Sequence, residues 1–320
     1  MKLVVQIPCL NEAATLPKTL ADLPREIPGV DEIEVLVVDD GSTDGTAEVA
    51  RRHGVRHVVR LRRNQGLART FLVGLDAALR LGADVVVNFD ADNQYRGADI
   101  ATLIEPVVRG EADFVIGDRR VDSIAHFSPA KKVLQKVGSW VVRRVSTTDV
   151  PDATSGFRAL SREAALRMNV ITEFTYTLET IIQAGKQRLR LAHVPVSTNE
   201  QPRPSRLFSS TWDCVKRSAV SIVRIYTHYE PFKTFSLLGS VFLAAGTVIG
   251  LRFSYYYWLG QGQGKIQSLI LAAVLLIVGF QVLLMGLIGD TIAANRRLIE
   301  EILYRQRRAE TAGKPGGSGP

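Results

Sequence analysis

Short apolar runs recur through the first third of the chain, separated by longer stretches in which the apolar positions are spaced for a helix. The runs read LVVQIP, EVLVVDD, HVVRL, DVVVNFD and DFVIGD, at residues 3–8, 34–40, 57–61, 84–90 and 113–118. Continuous apolar runs of this length are typical of strands buried on both faces of a parallel sheet. The stretches between them predict helices over residues 11–23, opened by a cap-like Asn11, and over 43–53 and 66–81. This alternation predicts an α/β fold with a mostly parallel, doubly wound sheet and helices on both faces.

The next region, residues 119–206, is less regular, with a basic helix predicted around 131–144 and another helix around 176–184. After it, aromatic and aliphatic residues recur at spacings of three and four and so share one helical face. These residues are Phe208, Trp212, Val215, Ala219, Ile222, Tyr226 and Tyr229. Because Lys216, Arg217 and Arg224 fall off this face, we predict a helix over 207–231 that lies in a membrane interface. The alternative is a helix packed against the core of the preceding domain.

Two long uncharged segments follow, at residues 234–251 and 266–289. At about 1.5 Å of rise per residue, each is long enough to cross, or nearly cross, a hydrocarbon layer of about 30 Å. We therefore predict two transmembrane helices, at about 234–257 and 266–289, within a hairpin over 232–290. The alternative is a pair of buried helices in a soluble protein. Self-association through these helices is left open.

Most of the positive charges near this hairpin lie on its two flanks, and its connecting segment carries only Arg252 and Lys265. The flanking charges are Lys216, Arg217, Arg224 and Lys233 before it, and Arg296, Arg297, Arg305, Arg307 and Arg308 after it. Since positive flanks stay on the cytoplasmic side, both termini are predicted to be cytoplasmic. Residues 291–320 are predicted to form a basic helix and a flexible tail.

Charge and cysteine content change this picture little. The net charge of +8 is not accompanied by a nucleic-acid-binding motif, so anionic lipid and phosphate are the expected partners, and nucleic acid is not. The two cysteines, Cys9 and Cys214, do not have the spacing of a metal site. The N-terminal sequence MKLVVQIP lacks the apolar region of a signal peptide, so none is predicted.

Acidic and amide side chains follow the fourth predicted strand at alternate positions, as Asp90, Asp92 and Gln94. In an extended chain this spacing directs all three side chains the same way. Two carboxylates and an amide oxygen suit Mg²⁺ or Mn²⁺ rather than zinc, and a nucleotide diphosphate would supply further ligands. The alternative is a set of solvated turn residues.

A second acidic pair, Asp39 and Asp40, follows the second predicted strand. Its carboxylates can accept hydrogen bonds from a nucleobase and from ribose hydroxyls, and Gly41 allows a tight turn. Alternatively, the following residues Ser42, Thr43 and Asp44 cap a helix. Glu12 adds a further acceptor after the first strand. Gly66 begins a predicted helix whose backbone amides can meet phosphate, with a plain loop as the alternative.

Taken in order, the segments IPCLNE, VVDDGSTDGT, NQGLA, DADNQ, VIGDR and SGFRALSREA resemble the family 2 glycosyltransferases of GT-A fold, in the dolichyl-phosphate mannose synthase branch. The resemblance covers residues 3–206, and residues 1–206 are expected to form the catalytic domain. It implies inverting transfer of a hexose from a nucleotide-diphosphate sugar to a polyprenyl or dolichyl phosphate. GDP-mannose is the first expectation for the donor, and UDP-glucose or another UDP-hexose is the next.

The resemblance also implies site residues. The donor-binding set is Pro8, Leu10, Asn11, Glu12, Asp39, Asp40, Gly66, Asp90 and Ala91. The metal set is Asp90, Asp92 and Gln94, for Mg²⁺ or Mn²⁺. The set for the acceptor phosphate is Arg119, Lys131, Lys132, Ser155, Arg203 and Arg206. Asp92, Arg119 and Arg206 are expected to act in catalysis.

The acceptor segments depart from the family pattern. Lys132 stands where the family has Arg, Gln135 stands near an expected Ser, and RPSR lacks the Gly of the closing segment.

Two other functions are weighed as alternatives. A processive polysaccharide synthase would carry a QxxRW element and more spans. A catalytically idle nucleotide-sugar-binding membrane scaffold would not turn over its ligand.

Overall fold

The computed structural model describes residues 1–119, 148–170, 176–199, 229–260 and 266–312, together with positions 139, 140, 142, 143, 146, 220, 223, 224 and 227. Two compact units make up the chain. The first combines Met1–Ile222 with Leu303–Pro320, and the second is Val223–Ile302. The domain boundaries expected from composition stay a prediction.

Within the described residues, seven strands form one sheet in the order β3-β2-β1-β4-β6-β5-β7. The strands are β1 Lys2–Cys9, β2 Glu32–Asp39, β3 His57–Arg60, β4 Val85–Asn88, β5 Phe114–Asp118, β6 Arg158–Ser161 and β7 Leu191–Pro195. All neighbours are parallel except that β6 runs antiparallel between β4 and β5. The predicted mostly parallel sheet and its first five strands are confirmed. Strands β6 and β7 were not predicted.

The described residues of the first unit include the helices α1 Leu16–Asp22, α2 Thr46–Arg52, α3 Leu67–Arg80, α4 Asp99–Val108, α5 Arg162–Arg167 and α6 Tyr176–Lys186. The first two begin later than predicted. Asn11 does not cap α1, which starts after Thr15, and α2 starts after Gly45, which has no side chain to act as a cap. The polar residues that precede these helices bond to each other across two loops, as described below.

The register of the central strands aligns their carboxyl ends. Cys9, at the end of β1, pairs with Asp39 at the end of β2, and Gln6 of β1 pairs with Asn88 at the end of β4. The core beneath these ends is apolar, with Val5, Ile7 and Val87 fully buried. In sheets of this kind ligands bind beyond the carboxyl ends of the strands. The loops after β1, β2 and β4 therefore share one edge of the molecule.

The second unit contains α7, Pro231–Trp258, and most of α8, Ile266–Ala312. Both helices are long and apolar enough to cross a membrane. Glycines allow their backbones to approach closely: a Cβ on Gly239 would lie 2.9 Å from the Gly279 carbonyl oxygen, and one on Gly246 would lie 3.1 Å from that of Ala272. Large apolar side chains such as Leu237 and Leu251 are exposed. This exposure fits lipid-facing helices and disfavours the alternative of buried helices in a soluble protein.

The last turns of α8 belong to the first unit and pack on its surface. Tyr304 is buried, donates a 3.1 Å hydrogen bond to Glu163 Oε2, and lies under the Arg167 guanidinium. Arg307 donates to the Met168 carbonyl oxygen at 2.8 Å and lies 3.5 Å from Asp76 Oδ1. The part of the predicted basic helix that reaches residue 312 is thus attached to the first unit rather than solvated all round.

Candidate active site

The loops after β1 and β2 are tied together by their polar side chains. Asn11, in a left-handed backbone conformation with φ 55°, accepts a hydrogen bond from the Thr43 amide at 2.9 Å. The Asn11 amide donates to Ser42 Oγ at 2.9 Å. Asp44 accepts from the amides of Ala13 and Thr46, both at 3.0 Å. Asp44 therefore caps the amide of Thr46, the first residue of α2, as the capping alternative predicts, while it also joins Asn11 and Ser42 in linking the two loops.

The acidic pair is almost fully buried at this edge, with Asp39 1% and Asp40 3% exposed. Asp39 accepts from the Ser42 amide through Oδ1, while its Oδ2 lies 3.3 Å from Arg60 Nε. Among the described residues, nothing donates a hydrogen bond to Asp39 Oδ2. A buried carboxylate oxygen without a donor is costly, and a ligand hydroxyl or N–H is a suitable partner for it. Asp39 Oδ2 thus keeps the hydrogen-bond acceptor capacity that the predicted contact with a nucleobase or ribose requires.

Asp40 instead holds the loop before α3. It accepts from the Gln65 amide at 2.7 Å and from the Gly66 amide at 2.9 Å. The Gly66 amide, predicted to meet phosphate, is committed to Asp40 and to Asn64 Oδ1. Gly41 allows this close approach, since its φ is 73° and a Cβ there would lie 2.7 Å from the Arg63 carbonyl carbon.

The residues after β4 form a tight turn, so the expectation of an extended chain there is wrong. Asn93 has φ 57°, and Asp92 Oδ1 accepts from the Gln94 amide at 3.0 Å. The turn is anchored from α1, because Thr19 donates to the Ala91 carbonyl oxygen at 2.9 Å. The amide oxygen of Asn93 is buried and accepts no hydrogen bond from the described residues. Asn93 adds an unused oxygen to the predicted oxygen-rich loop.

The two carboxylates of this turn affect each other. Burial, followed by the negative charge of Asp92, raises the pKa of Asp90 to about 7. A cation shared between the two carboxylates would relieve that repulsion. Among the described residues, no group of three or more His, Cys, Asp or Glu side chains could hold a metal ion. Carboxylate and amide oxygens are ligands that Mg²⁺ and Mn²⁺ prefer, and the metal set expected from the sequence stays a prediction.

Arg119 follows β5 at the same edge and forms a buried ion pair. Its Nε and Nη2 donate to the two oxygens of Asp152 at 2.7 and 3.0 Å, and Nη2 also donates to Thr154 Oγ1 at 2.7 Å. Burial alone would raise the pKa of Asp152, but the charge and hydrogen bonds of Arg119 outweigh it and lower that pKa. The hydrogen bonds that Arg119 makes to Asp152 and Thr154 use Nε and Nη2 and leave Nη1 out.

Comparison with known proteins identifies the family. The sequence profile of glycosyl transferase family 2 matches residues 4–167, which is more than half of the chain. The chain belongs to glycosyl transferase family 2. It is 28% identical over 297 residues to the glycosyltransferase AglJ of Haloferax volcanii, covering 91% of this chain and 93% of that protein. It is 31% identical over 211 residues to the undecaprenyl-phosphate mannosyltransferase of Micrococcus luteus, covering 63% of this chain and 85% of that protein.

The fold is also similar to a solved glycosyltransferase. Glucosyl-3-phosphoglycerate synthase from Mycobacterium tuberculosis, in complex with Mn²⁺, UDP-glucose and phosphoglyceric acid, matches with a TM-score of 0.55 at 22% identity. The match covers 71% of this chain and 78% of that one. At this identity the likeness concerns the fold alone, and it confirms the predicted GT-A architecture.

In this family 2 glycosyltransferase, the structure describes Arg119 and Ser155 of the residues that are expected to bind the acceptor phosphate. Lys131, Lys132, Arg203 and Arg206 lie outside the described residues. Ser155 is fully buried and its hydroxyl lies 3.3 Å from Tyr95 Oη. The expected contact between Ser155 and the acceptor phosphate stays a prediction.

Three residues of the glycosyltransferase site were missed from the sequence. Asp152 orients Arg119, as described above. Gly156 lies against the metal loop, since a Cβ there would be 2.6 Å from Asp90 Oδ2. Asn199 lies after β7. Its backbone amide donates to the Gln94 carbonyl oxygen at 2.8 Å, and its side-chain amide donates to the backbone carbonyl oxygen of Asn93 at 3.1 Å. For Asp152, the available signal in the sequence was a carboxylate three residues before the segment SGFR, which begins at Ser155.

Proposed function

We propose that this glycosyltransferase moves a hexose from a nucleotide-diphosphate sugar to a polyprenyl phosphate, with inversion at the anomeric carbon. The observation that carries the proposal is the meeting of two acidic loops and Arg119 at one sheet edge, in a chain with two apolar helices. The acidic loops suit a nucleotide and a cation, and the arginine suits a phosphate. Similarity to an undecaprenyl-phosphate mannosyltransferase supports the lipid acceptor.

For the donor, we propose GDP-mannose first and UDP-glucose or another UDP-hexose second. The named activity of the Micrococcus luteus relative supports mannose, and the UDP-glucose complex of the Mycobacterium tuberculosis synthase supports the second choice. Asp39 Oδ2, buried and without a hydrogen-bond donor among the described residues, is our proposed contact to the base or ribose. Pro8, Leu10, Asn11 and Glu12 line the neighbouring loop.

We propose that Asp90, Asp92 and Gln94 hold Mg²⁺ or Mn²⁺. When bound, the metal supplies positive charge that stabilises the departing diphosphate. The Mn²⁺ complex of the structural neighbour supports this assignment. This chain contributes the geometry of the turn, which is fixed by Thr19 from one side and by Asn199 from another.

The acceptor phosphate needs no general base, because its second pKa is about 6 and it is ionised at neutral pH. The protein then has to orient one phosphate oxygen behind the anomeric carbon. We assign this to Arg119, which Asp152 and Thr154 hold in a fixed orientation. Lys131, Lys132, Arg203 and Arg206 remain proposed partners in the same task, and Arg206 a proposed catalytic residue.

We propose that α7 and α8 cross the membrane and that the catalytic unit and both termini are cytoplasmic. The positively charged flanks support this orientation. It is tested with a protease-sensitive tag at Met1 or after Pro320 in sealed, oriented vesicles. Both tags should be cut only from the cytoplasmic side. Cleavage of the C-terminal tag from the opposite side would refute the hairpin.

The activity is tested with the purified full chain in nanodiscs, each donor in turn, a short polyprenyl phosphate, and Mn²⁺ or EDTA. We expect one lipid-linked sugar per acceptor, formed with metal and not with EDTA. Long polymeric products would favour the processive synthase. Donor binding without turnover under every condition would favour the non-catalytic scaffold.

The acceptor site is tested with Arg119→Ala. Loss of a hydrogen bond to a charged group, about 1.5–3 kcal/mol, should reduce acceptor use by about tenfold to a hundredfold. Donor affinity should barely change, because the proposed donor contacts lie on the loops after β1, β2 and β4. If donor binding is lost while the KM for the acceptor is unchanged, our assignment of Arg119 to the acceptor is wrong.

A further inference from the structure

Arg158 is a buried cation whose hydrogen-bond acceptors are all neutral. Its side chain has no exposed surface. It donates through Nε to the Ser155 carbonyl oxygen at 2.7 Å and through Nη2 to that of Ala153 at 3.1 Å. Nη1 donates to the Thr177 carbonyl oxygen at 2.8 Å and to Thr180 Oγ1 at 2.5 Å. The guanidinium therefore joins the loop before β6 to the first turns of α6.

A buried guanidinium without a bonded carboxylate is expensive for the fold. Burial lowers the pKa of Arg158 to about 10, so it stays protonated at neutral pH. The faces of Phe114 and Tyr176, 5.6 and 5.5 Å from its central carbon, stabilise the cation in part. The negative charges that act on it, through space, include Asp152 and Asp90. Both of these carboxylates belong to the proposed site.

The loop that Arg158 holds contacts both halves of that site, the half around Arg119 and the half around Asp90. At its start, Asp152 and Thr154 bind Arg119, the proposed acceptor residue. At its end, Gly156 packs directly against the carboxylate of Asp90, the proposed metal ligand. Arg158 binds the carbonyl oxygens of Ala153 and Ser155, which lie between these two contacts. A shift of this short loop would therefore move both halves together.

We propose that Arg158 is a positioning residue that fixes the metal half and the acceptor half of the site relative to each other, through the loop Asp152–Gly156. The inference rests on the proposed function for what the two halves bind. It adds that a buried guanidinium, which touches neither substrate, holds this loop together with Asn88 and Tyr95, which bond to Gly156.

The test compares Arg158→Lys and Arg158→Met with Arg162→Lys as a matched control. Arg162 also donates to backbone carbonyl oxygens, of Ala83 and Thr311, but none of these lies in the loop. For each variant in nanodiscs we would measure the thermal midpoint, Mn²⁺ affinity by calorimetry without substrate, and kcat and KM for the acceptor. Arg158→Lys keeps the positive charge but loses the planar set of N–H donors of the guanidinium. It is the deciding variant if Arg158→Met does not fold.

We expect Arg158→Lys to weaken Mn²⁺ binding and to lower kcat per folded molecule, each by about ten- to a hundredfold, as for residues that support metal ligands. Arg162→Lys should change neither. Wild-type Mn²⁺ affinity and kcat in Arg158→Lys would overturn the proposal, as would equal losses in Arg162→Lys. If the wild-type protein transfers no sugar to polyprenyl phosphate while Arg158→Lys still weakens Mn²⁺ binding, the acceptor assignment falls and the metal part of this inference stands.

Discussion

Replacing Asp152 with Asn tests how much the buried pair with Arg119 contributes to the fold. The pair is almost fully buried, with side-chain exposures of 8% for Arg119 and 2% for Asp152. Removing one member of a buried pair costs about 3–5 kcal/mol, because the remaining charge is left without its partner. Asn keeps the shape and one acceptor oxygen, so we expect the lower end, about 3 kcal/mol.

The pH dependence of this effect has a defined sign. The pKa of Asp152 is lowered in the folded protein, so the pair contributes fully above the unfolded value of about 3.9 and is lost as the pH falls through the folded value. The stability difference between wild type and Asp152→Asn should therefore be constant near neutral pH and shrink below about pH 4. Urea unfolding of the chain in nanodiscs, followed by near-ultraviolet circular dichroism, measures both.

A matched control exists at the surface. Asp113 accepts from Arg190 with the same two-bond geometry, at 3.0 and 2.9 Å, but Arg190 is 59% exposed. Hydrogen bonds from Arg190 likewise lower the pKa of Asp113. Solvent screening makes Asp113→Asn a mild change. If both variants lost equal stability, burial would not be the source of the effect. Asp152→Asn should also raise the acceptor KM, while donor binding stays unchanged.

Three further outcomes are expected. Asp92→Asn should abolish metal-dependent turnover with an unchanged circular dichroism spectrum, and full activity would refute the metal assignment. Gly156→Ala should weaken Mn²⁺ binding about tenfold or more, since its Cβ displaces Asp90, whereas Gly250→Ala, with its nearest contact at 3.9 Å, should not. Arg307→Ala should lower the free energy of unfolding of the first unit by about 1–2 kcal/mol, measured in urea, because the hydrogen bond to the Met168 carbonyl oxygen is lost. Arg297→Ala, at an exposed position, is the control.

The sequence predicted strands β1, β4 and β5 well because these strands are buried over almost their whole length. Runs such as DVVVNFD have no polar face, and this composition distinguishes them from the amphipathic helices between them. The helix starts were less predictable. Asn11, Ser42 and Asp44 are good capping residues locally, yet they bond across two loops that lie far apart in sequence. Partners of this kind depend on the strand register.

The acidic residues of the candidate site were predictable in identity but not in conformation. Asp90, Asp92 and Gln94 stand at alternate positions, which indicates one side of an extended chain. The left-handed conformation of Asn93 turns that chain instead, and Asn199, in the segment after β7 and more than 100 residues later in the sequence, holds the turn. The double hydrogen bond from the α3 loop to Asp40 was hidden for the same reason.

The direction of one strand explains why the loop Asp152–Gly156 was missed. Sequence reasoning for a parallel sheet looks for ligand-binding residues after each strand, because parallel strands end at the same edge. Strand β6 runs the other way, and its first residue, Arg158, pairs with Asn88 at the end of β4 and with Ile116 of β5. The residues before β6 therefore reach the edge that the residues after β4 and β5 occupy. A single antiparallel strand inserted between two parallel ones thus brings a third loop between the metal half and the acceptor half of the site.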